Sequence, residues 1–302
     1  MTAFLNALGG KLAERWLALL AVPGLVYLVA LATALTLGRR HWRDTGLLRE
    51  RLDALAAAPG AHSAGVLVVC AVAVLAGAAL TGAGVQALGA LVERVWLTGP
   101  RGPVTRWLTE RRSRRWRAAD DAYRTALVAA GRARLAGAAD ADALADEAEA
   151  RYARRREAGL DAPRHPCWTG DRVAAPDRRV WRAYRLDLTV AWPHLWLLAP
   201  DSTRAELGTA RAALSAAARL TAWGLAYLLL AVWWWPAALA GVATAVTGVV
   251  RGRGAAASFA ELTEALVDLH GRDLARALGV ECEGRLTPET GEEVTRLLGK
   301  PG

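Results

Sequence analysis

Residues 64–92 form an unbroken run of 29 positions without a charged side chain. About 20 apolar residues carry a helix across the ~30 Å hydrocarbon core of a bilayer. This run is therefore long enough to cross one with tilt. Two further uncharged runs follow the same rule: residues 16–37, 22 in number, and residues 220–250, 31 in number. In hydrocarbon every backbone N–H and C=O must find its partner within the protein, so apolar runs of this length imply helices. The hydrophobic share of the chain is 54%, with a mean hydropathy of +0.18, against about 45–50% in ordinary soluble proteins. That excess is concentrated in the three runs, and the expectation is an all-α integral membrane protein.

The first run holds Pro23 and Gly24, which membrane helices tolerate. Ala30-Leu31-Ala32 and Ala32-Thr33-Ala34 resemble signal-peptidase sites. The run is nevertheless longer than the 7–15 residues of a signal-peptide core, so a retained span is expected. In the second run Ala73, Gly77 and Thr81 recur at spacing four, a small-residue stripe that lets helices approach closely. The third run is interrupted by Trp233-Trp234-Trp235-Pro236. Tryptophan favours the membrane–water interface, and proline disfavours helix at the residue before it. The reading is two spans, 214–235 and 236–252, joined by a tight interfacial turn; one tilted span is the alternative. Ala237, Gly241, Ala245 and Gly248 would form a packed face on the second arm. No Asp, Glu, Lys, Arg or His lies within the three uncharged runs, and Arg219, in the extension back to 214, would snorkel to the interface; this argues against a proton-coupled transporter acting as a monomer.

Sidedness follows from the basic residues. The net charge is +9, carried by 36 Arg and 2 Lys. Abundant Ala and Arg with almost no Lys point to a high-GC bacterial genome. Between residues 93 and 134 there are eleven Arg against four acids, and basic loops stay in the cytoplasm. Arg251 and Arg253 follow the last run. Four spans in a bacterial plasma membrane, with both termini cytoplasmic, satisfy these constraints. The outer loop 38–63 then carries Arg39, Arg40, Arg43, Arg49 and Arg51, which runs against the rule. Leu47, Leu48, Leu52 and Leu55 make that loop a short amphipathic helix.

Four regions result: an N-terminal two-span segment (1–96), a cytoplasmic helical region (97–213), a two-span hairpin (214–252) and cytoplasmic C-terminal helices (253–302). Val104, Trp107, Leu108, Trp116, Tyr123, Leu127 and Ala130 keep helical spacing. A second helix over 140–158 starts acidic and ends basic, which suits the helix dipole. The two are expected as an antiparallel hairpin. The cluster Arg111, Arg112, Arg114, Arg115 and Arg117 follows a span closely, so anionic lipid head groups are the expected partner. A cytoplasmic protein or a second copy of the chain comes next, and nucleic acid is not expected. Residues 159–200, punctuated by Pro163, Pro166, Pro176, Pro193 and Pro200, read as irregular. Leu186 to Ala199 are too few to span and would lie in the interface or over the cytoplasmic domain. Asp201-Ser202 would cap a helix running into the third run. Ser258-Phe259-Ala260-Glu261 reads as a capping box opening a C-terminal amphipathic helix. Phe259, Leu262, Leu266, Leu269, Leu274 and Leu278 form its stripe, and Gly279 stops it. A last short helix starts at Thr287-Pro288.

The search for chemistry yields no catalytic, cofactor-binding or metal residue. Cys70, Cys167 and Cys282 are scattered and give no disulfide framework. The five histidines make no ligand spacing; His165-Pro166-Cys167 comes nearest to a metal pair and lacks further ligands. No phosphate loop, dinucleotide fingerprint or nucleophile elbow is present. Asp120-Asp121 reads as a solvated, salt-linked face. The expectation is a non-enzymatic membrane scaffold or signalling subunit with cytoplasmic docking helices. The alternative is a membrane-perturbing effector or an oligomeric pore subunit.

Three stretches carry a resemblance: Cys-Trp-Thr-Gly-Asp-Arg-Val at 167–173, Ala-Tyr-Arg-Leu-Asp-Leu at 183–188, and Trp-Pro-His-Leu-Trp at 192–196 with Pro200. Together with the run from Phe259 to Leu278 they resemble uncharacterised bacterial, actinobacterial-type, multi-span integral membrane proteins. In that group the text runs roughly Gly-Asn, an acidic turn, Tyr-Gly-Leu-Asp, then Trp-Pro-Arg-Leu. Gly170, Tyr184, Leu186, Asp187, Trp192, Pro193 and Leu195 match. Asp171, Arg185 and His194 stand where the group has Asn, Gly and Arg. The resemblance covers about the C-terminal two-thirds and implies the four-span layout without importing an activity.

Overall fold

The computed structural model describes residues 21–39, 44–57, 63–159 and 161–299. Among them every regular element is a helix. The chain divides into two compact units. Unit 1 comprises Met1–Glu93 and Ser215–Arg251; unit 2 comprises Arg94–Leu214 and Gly252–Gly302. Two helices of the described residues are long and apolar enough to cross a membrane, Ala64–Leu97 and Asp201–Leu230.

Unit 1 contains α1 (Val22–Leu37), α2 (Thr45–Ala56) and most of α3 (Ala64–Leu97). It also holds the C-terminal part of α9 (Asp201–Leu230) and the N-terminal part of α10 (Pro236–Ala277). Residues 16–20 of the first predicted span lie outside the described residues. Its helix has 16 residues from Val22. Helix α2 occupies the loop that was expected to hold a short helix.

Small residues set the packing of this unit. A side chain on Gly24 would collide with the backbone of Ala78, so α1 and α3 touch at main-chain distance. A Cβ on Gly89 would sit 3.1 Å from Arg219 Cα. A Cβ on Gly241 would fall 2.8 Å from the Leu228 amide, and Gly224 and Gly248 are equally closed by Ala245 and Thr221. The predicted face of Ala237, Gly241, Ala245 and Gly248 is thus the face that α10 turns to α9. Tyr27 of α1 stacks near Trp223 and Tyr227, with ring centres 6.0 and 5.5 Å away, and donates to the Ala226 carbonyl at 3.3 Å.

The break at the Trp-Trp-Trp-Pro sequence is real. Helix α9 ends at Leu230, residues 231–235 turn, and Pro236 opens α10. Proline is pre-set for a first helical position. The Ala237 and Ala238 amides bond back to Trp234 and Trp235 at 3.0 and 2.8 Å. The helices do not end where the two arms were drawn: α9 stops at Leu230, five residues before 235, and α10 continues past 252.

Helix α10 runs 42 residues without interruption, so the capping box at Ser258 does not open a new helix. Ser-x-x-Glu is equally compatible with a helix interior, and the Ala and Arg residues around it favour helix. The predicted stop holds. Gly279 takes φ +78°. Its amide bonds to Arg276 O at 3.0 Å and that of Val280 to Ala275 O at 2.9 Å, the pair of bonds that ends a helix on a left-handed residue.

In unit 2, α4 (Pro103–Leu135) and α5 (Ala141–Ala158) pack along each other. Trp116 donates to Gly159 O at 3.0 Å, and Tyr123 meets Tyr152 at 5.3 Å, so the two run antiparallel. The expectation of a solvated Asp120 is overturned. It is 6% exposed, and its carboxylate bridges Arg124 of its own helix at 2.8 Å and Arg155 of α5 at 2.6 Å.

Of residues 159–200, the described part up to Cys167 is irregular as expected, but the stretch from Trp168 to Leu198 is mostly helical. It forms α6 (Trp168–Val173), α7 (Ala175–Tyr184) and α8 (Leu188–Leu198). Pro176 sits in the first turn of α7, where a missing N–H costs nothing. Asp187 caps α8 by accepting from the Thr189 amide at 2.8 Å. Leu188, Ala191 and Leu195 bury one side of α8 in the core with Leu207, Leu266, Val267 and Leu274. The last helix, α11 (Pro288–Leu298), begins at Thr287 as expected and places Val294 in that core.

Candidate functional site

Three features of unit 2 concentrate polar or uncovered groups. The first is a junction centred on Asp171 of α6. Its Oδ1 accepts the backbone amides of Arg164 and His165 at 2.8 and 2.9 Å and faces His165 Nδ1 at 3.1 Å. Arg112 of α4 donates to Oδ2 at 2.8 Å and to the His165 carbonyl at 2.6 Å. Ser113 adds a bond to Pro163 O at 3.0 Å. The segment before α6 is thereby tied to α4.

Burial opposes ionisation of Asp171, but the His165, Arg164 and Arg112 contacts outweigh it and hold the carboxyl below its ordinary value. Burial pushes the neighbouring Cys167 thiol up, with Arg112 pulling against it. A carboxylate bonded on both oxygens and a protonated thiol make a structural tie. Among the described residues no three His, Cys, Asp or Glu side chains are placed to share a metal.

The second feature joins α6 and α7 to α10. Arg172 is 8% exposed, donating to Glu261 at 2.9 Å and approaching Glu264 at 3.6 Å. Arg179 reaches both oxygens of Glu264, at 3.2 and 2.9 Å. Tyr184 donates to Asp268 at 2.8 Å, and this bond raises the phenol's pKa. Beside it, Arg185 is the one non-glycine at positive φ among the described residues, at 53°. Thr295 of α11 lies against it, accepting from the Asp187 amide at 2.9 Å, its hydroxyl shared between Gly291 O at 2.8 Å and the Arg185 carbonyl at 3.2 Å.

The third feature is apolar. Trp192, Pro193, Trp196 and Leu197 of α8 line a groove with Leu207 and Arg211 of α9 and Phe259 of α10, about 670 Å³ in volume. Of the two placements expected for Leu186 to Ala199, cover for the domain is observed: one side of α8 is core, and the other lines this groove. Near the far end of the α4–α5 pair, Tyr123, Leu127, Ala130, Ala148 and Tyr152 line a smaller recess of about 320 Å³. Leu135 and Val128 there are 92% and 51% exposed. The sequence signal for this tip was the helical stripe itself, which does not say which members find a partner.

Comparison of the chain with protein-family models, with curated proteins and with solved structures found no match in any of the three.

Proposed function

We propose that this chain is a four-span protein of a bacterial plasma membrane that serves as a non-enzymatic scaffold or signalling subunit. Unit 2 would lie in the cytoplasm, with the tip of α4 and α5 docking a protein partner. The observation that carries the membrane reading is the surface of α3. Only 6% of its apolar stretch is buried, and Val69, Val72 and Leu80 are 68%, 60% and 74% exposed. Contiguous apolar surface on that scale marks contact with membrane or partner. The first span would be α1, and the last two come from α9 and the first part of α10, whose outward residues include Leu229, Leu239 and Val250 at 62%, 65% and 61% exposure. The resemblance to actinobacterial-type multi-span proteins is consistent with this layout.

The scaffold reading is favoured over the oligomeric pore for a specific reason. Two of the close approaches that small residues permit are made within the chain, Gly24 against Ala78 and Gly224 against Ala245, and are not open to a second copy.

Cysteine labelling tests the topology in a chain lacking Cys70, Cys167 and Cys282. A cysteine at Ser63 should react from outside the cell and one at Ser258 only after permeabilisation. Reaction of both from the same side ends the four-span layout. Overexpression should leave the membrane potential unchanged, while a photo-crosslinker at Leu135 captures a discrete cytoplasmic partner that the same probe at Leu197 does not. Collapse of the potential would favour the pore.

A further inference from the structure

We propose that the first three turns of α4 rest on anionic lipid head groups, through a face built from Val104, Trp107, Arg111, Arg114 and Arg115; this rests on the membrane reading above. At 3.6 residues per turn these five positions fall within an arc of about 100°. The opposite side of the helix carries Arg112, Ser113, Trp116 and Asp120, which bond to residues 155–171 as described. The arc is uncovered. Val104 and Trp107 are 68% and 56% exposed, and Arg111, Arg114 and Arg115 are exposed as well. Arg111 lies over the Trp107 ring, 5.5 Å from its centre.

The composition of this face selects the occupant. An aliphatic side chain, an indole and three guanidinium groups on one side of a helix match a surface that is apolar below and anionic above. Tryptophan places its ring at that boundary, and guanidinium groups above it meet phosphate. Trp107 follows the last residue of α3 by ten positions, within the stretch where basic residues meet the anionic leaflet. A nucleic acid would use the arginines and the indole but would give an exposed valine nothing. Arg114 also pairs with Glu110 at 2.8 Å, so Arg111 and Arg115 are the residues to test.

The experiment uses the full chain, with its native cysteines replaced, reconstituted into two kinds of vesicle: phosphatidylcholine alone, and phosphatidylcholine with phosphatidylglycerol. A fluorophore on Val104→Cys reports the face, and one on Val72→Cys reports the span. The Val104 label should be shielded from a water-soluble quencher in the phosphatidylglycerol vesicles, and added salt should reverse the shielding. Each arginine is expected to contribute about fivefold to the docked population. Arg111→Glu with Arg115→Glu should therefore cut it at least ~25-fold, while Arg111→Lys retains most of it. If the Val104 label is equally exposed in both vesicles while the Val72 label stays in lipid, the docking proposal is wrong and the membrane reading survives. If the Val72 label is water-exposed, both fail. Shielding by added RNA in place of phosphatidylglycerol also overturns the proposal.

Discussion

Leu80 offers the sharpest test of the medium around α3, because two media predict opposite outcomes for one substitution. Leu80 is 74% exposed and lies near the middle of the uncharged run. In water, Leu80→Arg on an exposed helical surface changes stability by about 0.5 kcal/mol or less. At the centre of a bilayer, arginine costs roughly 2.5–3.5 kcal/mol where leucine gains about 0.5, a difference of about 3–4 kcal/mol. The lower figure lowers the inserted-to-uninserted ratio about 150-fold. Outside labelling of a cysteine at Ser63 reads that ratio in the full chain, and the membrane-pellet fraction reads it independently. Leu127→Arg is the control, since Leu127 is half exposed on α4 and should tolerate the change. If Leu80→Arg behaves like Leu127→Arg in both assays, α3 does not cross a bilayer, and the proposed function falls with it.

Other outcomes follow from unit 2. Asp120→Ala strands Arg155, whose side chain is 22% exposed, over the Trp116 and Tyr123 rings. Partial exposure and those rings reduce the usual penalty for breaking a buried pair to roughly 2–3 kcal/mol, so amides along α4 and α5 should exchange ~30-fold faster or more, whereas Arg124→Ala should leave them nearly unchanged. Arg185→Gly should stabilise by about 1 kcal/mol or slightly less, because the left-handed backbone costs arginine ~1–2 kcal/mol and glycine's own entropy returns part of the gain; a lower melting temperature in detergent would contradict the assignment of strain. Asp171 has its folded pKa below the ordinary 3.8. Its contribution is therefore present above about pH 4 and is lost as acid protonates it. Proteolysis near residues 159–167 should rise below that pH in the native chain, and in Asp171→Asn it should be elevated already at neutral pH.

The parts of this fold that were legible in the sequence are those decided by local physics. Trp-Trp-Trp-Pro ends one helix and opens another because proline constrains its own neighbourhood. Gly279 and Thr287 mark ends because a left-handed residue and a side-chain cap act within a few positions. The illegible parts depend on distant partners. Asp120 looked solvated because nothing near it in sequence announces Arg155. The stretch 168–198 looked irregular because its prolines were counted as breaks, when Pro176 occupies a first turn and α8 is held by burial of Leu188, Ala191 and Leu195. Ser258 looked like a helix start because the capping motif is the same inside a helix as at its end.

Arg185 shows how the two kinds of signal meet. Its φ of 53° lies in the left-handed region that glycine enters without a steric cost. What holds an arginine there is Thr295 of α11, more than a hundred residues away. The same holds for the membrane reading. Hydropathy of residues 64–92 says only that α3 is apolar, which a buried core helix would also be. The distinction comes from where the large apolar side chains point. Unit 2 buries Leu186, Leu195, Leu207 and Leu266 to 1% exposure or less and unit 1 buries Leu230 likewise, but only 6% of the apolar stretch of α3 is buried and its Val69, Val72 and Leu80 face outward. Water drives apolar burial through the area of surface removed from it, so a core helix would hide such residues. Hydrocarbon removes that drive and leaves close approach of small residues as the source of packing; the contact of Gly24 with Ala78 beside an outward Leu80 is the arrangement that a membrane-spanning α3 would show.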